Sequence, residues 1–224
     1  RCFMTYDIYG ATQNEKIKLI CICNEIESMV RFKMTTDINI TIVNTLSGGA
    51  SARCDLKNER ILVARKNCLE DIDTNSQYVK GIIYHELWHY CTNEKYKELY
   101  HKMMNPDEDI ALAYACQYWI EYIAHIETVF MEDKNIIEKF CIGFVENSEI
   151  RSEIGFSYLI KRMPYFLVRA GYIGKYQEYC NKIKDPEVKL IIQKFNNLSK
   201  QLLTDNNKSD YEKAESIKEL ICSI

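Results

Sequence analysis

Chain-breaking residues are scarce in this sequence: three prolines and eight glycines among 224 residues. An all-β fold needs turn residues at short intervals, so this shortage argues against one and for long helices. No apolar run approaches the roughly 20 residues of a membrane span, and no membrane partner is expected. Lys and Arg form no long cluster and the net charge is -3, which leaves no electrostatic footprint for direct nucleic-acid binding. None of the ten cysteines stands in a Cys-x-x-Cys pair, which disfavours a zinc ribbon or a thioredoxin-type motif. Cys21, Cys91 and Cys116 fall on apolar stripes, where a thiol behaves as a small buried hydrophobe. No signal-peptide pattern is visible, so the chain reads as reduced and cytoplasmic. It begins at Arg1 rather than Met, which keeps a removed leading segment open as an alternative. Internal repeats and low-complexity segments are absent.

What is present is ordinary in bulk and unusual at one point. A hydrophobic content of 47% and a charged content of 27% are those of a globular protein long enough to bury a core. Histidine is rare, with four in the chain, yet two of them lie in His85-Glu86-Leu87-Trp88-His89. On a helix, residues four apart project from nearly the same side, so both imidazoles can address one cation. Two imidazoles and a third protein ligand leave one tetrahedral position on Zn²⁺ for water. Glu86 stands beside that position as general base for a zinc-bound water attacking a carbonyl. Ser76 is a plausible N-cap, and Ile83, Leu87 and Tyr90 or Cys91 make an apolar stripe beside the histidines.

The rest of the chain supplies a setting. Residues 1–15 give no clear element, and residues 15–32 suggest an amphipathic helix carried by Ile17, Ile20, Cys21, Ile26, Met29 and Val30. Ile38, Ile40 and Ile42 alternate with Asn39, Thr41 and Val43 as in a strand. After the Ser47-Gly48-Gly49 turn, residues 50–55 and 60–65 read as two further strands. Helix, three strands and the HExxH helix imply a small, partly antiparallel sheet, whose edge can pair with an extended peptide. A short helix is expected near residues 95–103. Asn105-Pro106-Asp107-Glu108 has the chemistry of a helix start, with the helix running to about Asp133. Residues 135–148, 149–169, 173–183, 186–203 and 211–224 read as later helices, broken at Gly171, Gly174 and Asp185-Pro186.

Thr92 and Lys95 stand where a longer HExxHxxGxxH pattern would place its glycine and third histidine. The third ligand is therefore expected to be an acid on the next long helix. Glu121 fits best, because a mid-helix acid among aromatic residues costs desolvation unless it is paired, and Ala124 permits close approach. Glu127, on the stripe with Ile120 and Ile123, and Glu108, which the helix dipole alone would explain, stay open as rivals. His125 reads as structural or as an oxyanion donor. Tyr84, Tyr90, Tyr114, Tyr118 and Tyr122 read mainly as core, with one of them available to an oxyanion.

A small α/β unit, the HExxH residues His85, Glu86 and His89, and a Glu121-x-x-Ala124 segment together resemble compact gluzincin-type zinc peptidases of the ImmA/IrrE group of bacteria and their phages. The resemblance covers about residues 15–133. It implies an α+β, zincin-like fold, His85, His89 and Glu121 as zinc ligands, Glu86 as general base, and cytoplasmic cleavage of a protein such as a transcriptional repressor. The expected organisation is a peptidase core over residues 1–133 and a helical extension over 134–224. Two other classes remain: a zinc-binding regulatory module of the same fold that cleaves nothing, and a helical interaction protein in which HExxH is accidental.

Overall fold

The alternating isoleucines of residues 37–43 form the strand that their spacing predicts. The computed structural model describes residues 5–32, 37–74, 76–148 and 153–224. In it, β1 (Thr5–Tyr9) pairs in parallel with β2 (Asp37–Val43), and β2 in parallel with β4 (Arg60–Ala64). β3 (Ala52–Asp55) runs antiparallel to β4 at the edge, giving the order β1-β2-β4-β3. The protein is thus α+β, with a small mixed sheet and many helices. Among the described residues no helix is long and apolar enough to cross a membrane.

Two units can be told apart, one of residues 1–95 with 130–133, the other of 96–129 with 134–224. One border therefore falls between Asp133 and Lys134, while residues 96–129 group with the later helices.

In the first unit, one sheet face carries Ile8, Ile38, Ile40, Ile42, Ile61 and Val63, all buried. They form one core with Leu19, Ile22, Cys23 and Ile26 of α1 (Gln13–Glu27) and Val79, Ile83, Tyr84 and Leu87 of α2 (Ser76–Thr92). Parallel pairing of β1 with β2 needs a crossover, and α1 supplies it. The expected stripe on α1 is corrected here: Ile17, Cys21 and Met29 are exposed. Residues 17–26 hold two overlapping apolar stripes, and the sheet selects the one at 19, 22, 23 and 26. β1 was illegible because a five-residue strand with one buried side chain has no periodic signal.

Where the parallel strands end, Arg65 joins three segments. Its guanidinium donates to Glu15 Oε1 at 2.8 Å, to Asn44 Oδ1 at 2.6 Å and to the Gly10 carbonyl at 2.9 Å. Gly10 has φ 73°, and a Cβ there would stand 2.7 Å from the Ile42 carbonyl oxygen, so glycine is required. Glu15 also closes a capping box with Thr12 at the start of α1.

The second unit is built around α4 (Ile110–Thr128), which packs against α3 (Lys97–Met104), α6 (Glu153–Tyr172) and α9 (Asp210–Cys222). Asp109 caps α4 by accepting from Leu112 N–H at 2.9 Å. The expected start at Asn105-Pro106 is therefore corrected, Asn105 capping the end of α3 and residues 106–108 forming a turn. The helix also stops at Thr128 and passes into a 3₁₀ turn at Val129–Met131 rather than reaching Asp133. Tyr118 and Ser199 share a buried hydroxyl–hydroxyl bond of 2.7 Å, and Trp119 donates to Asp210 at 2.9 Å. Gly171 lies within α6, and the break comes at Gly174, with φ 71°. α5 (Lys134–Glu146), α7 (Tyr176–Lys182) and α8 (Pro186–Thr204) complete the unit.

The Arg65 guanidinium holds the Glu15 carboxyl down at about 2, well below its ordinary value. Its contribution to stability is complete above the unfolded value near 4.5 and is lost as pH falls toward 2. Glu15→Gln is expected to cost about 1 kcal/mol at pH 7, since the pair is partly solvated, and to flatten the loss of stability between pH 4.5 and 2. Urea denaturation across that range measures it.

Candidate metal centre

Helix α2 begins at Ser76 itself, not one residue after it, and turns its buried side onto the sheet through Val79, Ile83 and Leu87. Its apolar anchoring leaves His85 and Glu86 half-buried and His89 buried. The two Nε2 atoms of His85 and His89 lie 3.0 Å apart. Two zinc–nitrogen bonds at a tetrahedral angle would set them about 3.3 Å apart, so the pair already has nearly ligand-like spacing.

Polar contacts fix how α2 runs along the sheet. Tyr78 Oη lies 2.8 Å from Ser51 Oγ, and eight residues later Glu86 Oε2 accepts the Cys54 N–H at 2.6 Å. Eight helical residues rise about 12 Å and three strand residues about 10 Å, so α2 and β3 run side by side in the same direction. Toward the end of α2, the Tyr90 hydroxyl lies 3.3 Å from the carbonyl oxygens of both Asp37 and Glu59. Burial first, and then the Glu86 charge, push the Cys54 thiol up, so it stays protonated and is a poor metal ligand.

On its other side α2 receives the segment that follows α4. Gln77 donates through Nε2 to the Met131 carbonyl. A Cβ at Gly81 would meet Glu132 Cγ at 3.3 Å and the Met131 carbonyl oxygen at 3.4 Å, so the missing side chain permits a close approach. Phe130 packs edge-on to Tyr84, with the Arg31 guanidinium 4.3 Å from its ring centre. A glycine inside a helix signals such an approach in the sequence; the partner it receives does not show there.

Glu121 is half-buried in the middle of α4. His85 and His89 belong to the sheet unit and Glu121 to the other unit, so within one unit the ligand pair is the two imidazoles, with Glu121 the third ligand that the sequence suggests. Two imidazole nitrogens and one carboxylate oxygen are a borderline-to-hard donor set that suits Zn²⁺. Glu127 is exposed, and Glu108 is exposed and paired with Lys102 at 3.2 Å, holding the lysine's pKa up. His125 is buried with its ring centre 4.1 Å from that of Tyr165, which is the structural reading of that residue. Tyr84, Tyr118 and Tyr122 are core, and Tyr114 accepts from Ser157 at 3.0 Å. The contact that residue types could not reveal is the backbone amide of Cys54, which meets the Glu86 carboxylate.

About one zinc per chain is expected by elemental analysis after loading and dialysis. His89→Ala should lose it and Glu121→Ala should weaken it at least tenfold, whereas Glu127→Ala and Glu108→Ala should keep it. Zinc at 100 times its Kd should stabilise the fold by about 2.7 kcal/mol, reversed by a chelator and read as a shift in Tm. No protein-family model, no curated protein and no solved structure matches this chain.

Proposed function

We propose that the chain is a zinc-dependent peptidase of gluzincin type, similar in plan to the ImmA/IrrE group, acting on a polypeptide in a reducing, cytoplasmic setting. The observation that carries this reading is the 3.0 Å spacing of the His85 and His89 Nε2 atoms on a helix that also bears Glu86. His85 and His89 would hold zinc through Nε2, and Glu121 through a carboxylate oxygen. Bound there, zinc would supply a Lewis acid that polarises the scissile carbonyl and acidifies a water.

The remaining chemistry belongs to the chain. Glu86, whose Oε2 accepts the Cys54 N–H in this structure, would accept a proton from the attacking water and return it to the leaving amine. The Tyr78 and Tyr90 hydroxyl bonds, added to the packing of Leu87 and Ile83 in the sheet core, keep α2 from turning about its axis, so the two histidines hold their directions. The β3 edge offers main-chain groups to an extended substrate, which selects unfolded or flexible segments over helices. A transcriptional repressor with such a segment is one protein of this kind.

Zinc-loaded protein incubated with a degenerate quenched-fluorescence peptide mixture should show hydrolysis. Glu86→Gln should lower the rate by 10² or more while zinc content stays at about one per chain. Equal rates for the two proteins would remove Glu86 from the chemistry. A zinc-bound wild type that hydrolyses nothing would leave a zinc-binding regulatory module in place of the peptidase.

A further inference from the structure

The edge strand β3 carries a contact that its position makes consequential. Ala64 N–H donates to the Ser51 carbonyl at 2.9 Å, which marks residues 51 and 64 as a hydrogen-bonded pair. The register continues Ala52↔Val63, Arg53↔Leu62, Cys54↔Ile61. In an antiparallel ladder the pairs alternate, so Arg53 turns its main-chain groups toward β4, while Ala52 and Cys54 turn theirs outward. The outward Cys54 N–H is the one that donates to Glu86 Oε2 at 2.6 Å, a short, charge-assisted hydrogen bond.

A carboxylate oxygen on that amide takes the place that the carbonyl of an added strand would take. An extended peptide docking on β3 needs the Cys54 N–H, or its own carbonyl is left without a donor. With the β3 edge as the docking strand of the peptidase reading, we propose that Glu86 occupies its Cys54 position as a latch until an extended peptide displaces it. Docking and release of the base are then one event: the peptide carbonyl takes the amide, and Glu86 Oε2 swings clear with both oxygens available. The structure holds the base in its latched state. This deepens the peptidase reading and rests on it, but the exchange itself needs no metal.

The test uses chelator-treated full-length protein, so that no peptide is cleaved. A phage-displayed library of linear dodecapeptides is selected on Glu86→Ala, and the enriched peptide is titrated calorimetrically into wild type and variant. The peptide is expected to bind Glu86→Ala about tenfold or more tightly than wild type, with Glu86→Gln between them. Amide exchange by NMR should find Cys54 protected in wild type, unprotected in Glu86→Ala, and protected again when peptide is added. Cys54→Pro removes the amide without touching the β4 ladder, because proline is tolerated where a strand's N–H faces outward; it should lose the peptide. Equal affinities for wild type and Glu86→Ala overturn the latch. No enriched peptide, or one that leaves Cys54 exchange unchanged, overturns the docking strand. Failure of zinc-loaded protein to hydrolyse anything would count against the peptidase reading and leave these binding results standing.

Discussion

Tyr78 and Glu86 lie eight residues apart on one helix, and each is tied to β3, at Ser51 and at Cys54. The Tyr78 tie, with Tyr90 reaching the carbonyls of Asp37 and Glu59, sets both the height and the rotation of α2, and the Glu86 tie adds to it while that carboxylate is on the Cys54 amide. Apolar packing alone would do neither well, since a smooth stripe of Ile, Leu and Val tolerates small slides along a sheet of isoleucines. Directional bonds remove that freedom. The directions of His85, Glu86 and His89 follow from this fixation, because a helix rotated by one residue (100°) would aim them elsewhere.

The sheet is organised to make this possible. Three parallel strands, with α1 as the crossover between the first two, leave β3 as the one antiparallel member, at the edge beside α2. The β3–β4 turn is held by Asp55, which accepts from Asn58 at 2.8 Å and from Arg60 at 3.0 Å. Those bonds hold its carboxyl below the usual range. Glu59 completes the turn at φ 48°, a left-handed conformation that few side chains adopt readily. A strained turn closed by an ion pair is a costly way to end a four-residue strand. It keeps the strand short and its register defined.

How much of this could be read from the sequence depends on the kind of signal. β2 was plain because Ile38, Ile40 and Ile42 alternate with polar residues, and the HExxH spacing gave the helix and its chemistry together. Glu121 stands out in sequence as a mid-helix acid among aromatic residues, and in the structure it is half-buried while Glu127 and Glu108 face solvent. The α1 stripe is ambiguous in sequence because Ile17, Ile20 and Cys21 compete with Leu19, Ile22 and Cys23, and only the sheet decides between them. The start of α4 differs from the sequence expectation because Asn105-Pro106 has good local cap chemistry, whereas Asp109 has both that chemistry and the Lys218 ion pair at 2.6 Å. The Cys54 amide was beyond reach, since every residue but proline carries the same N–H.

The segment at residues 130–133 bears on how the protein is made. It belongs to the same unit as the sheet, although 34 residues of the other unit, 96–129, separate it from Lys95. Met131 is buried in the sheet unit's core, and Phe130 packs on Tyr84. On a ribosome, the nascent sheet unit therefore waits with an open flank on α2 while α3 and α4 are synthesised. At about 5–20 residues per second that interval lasts a few seconds. During it Tyr84 and the backbone at Gly81 stand uncovered on that side, and a chaperone that recognises short apolar stretches can bind there.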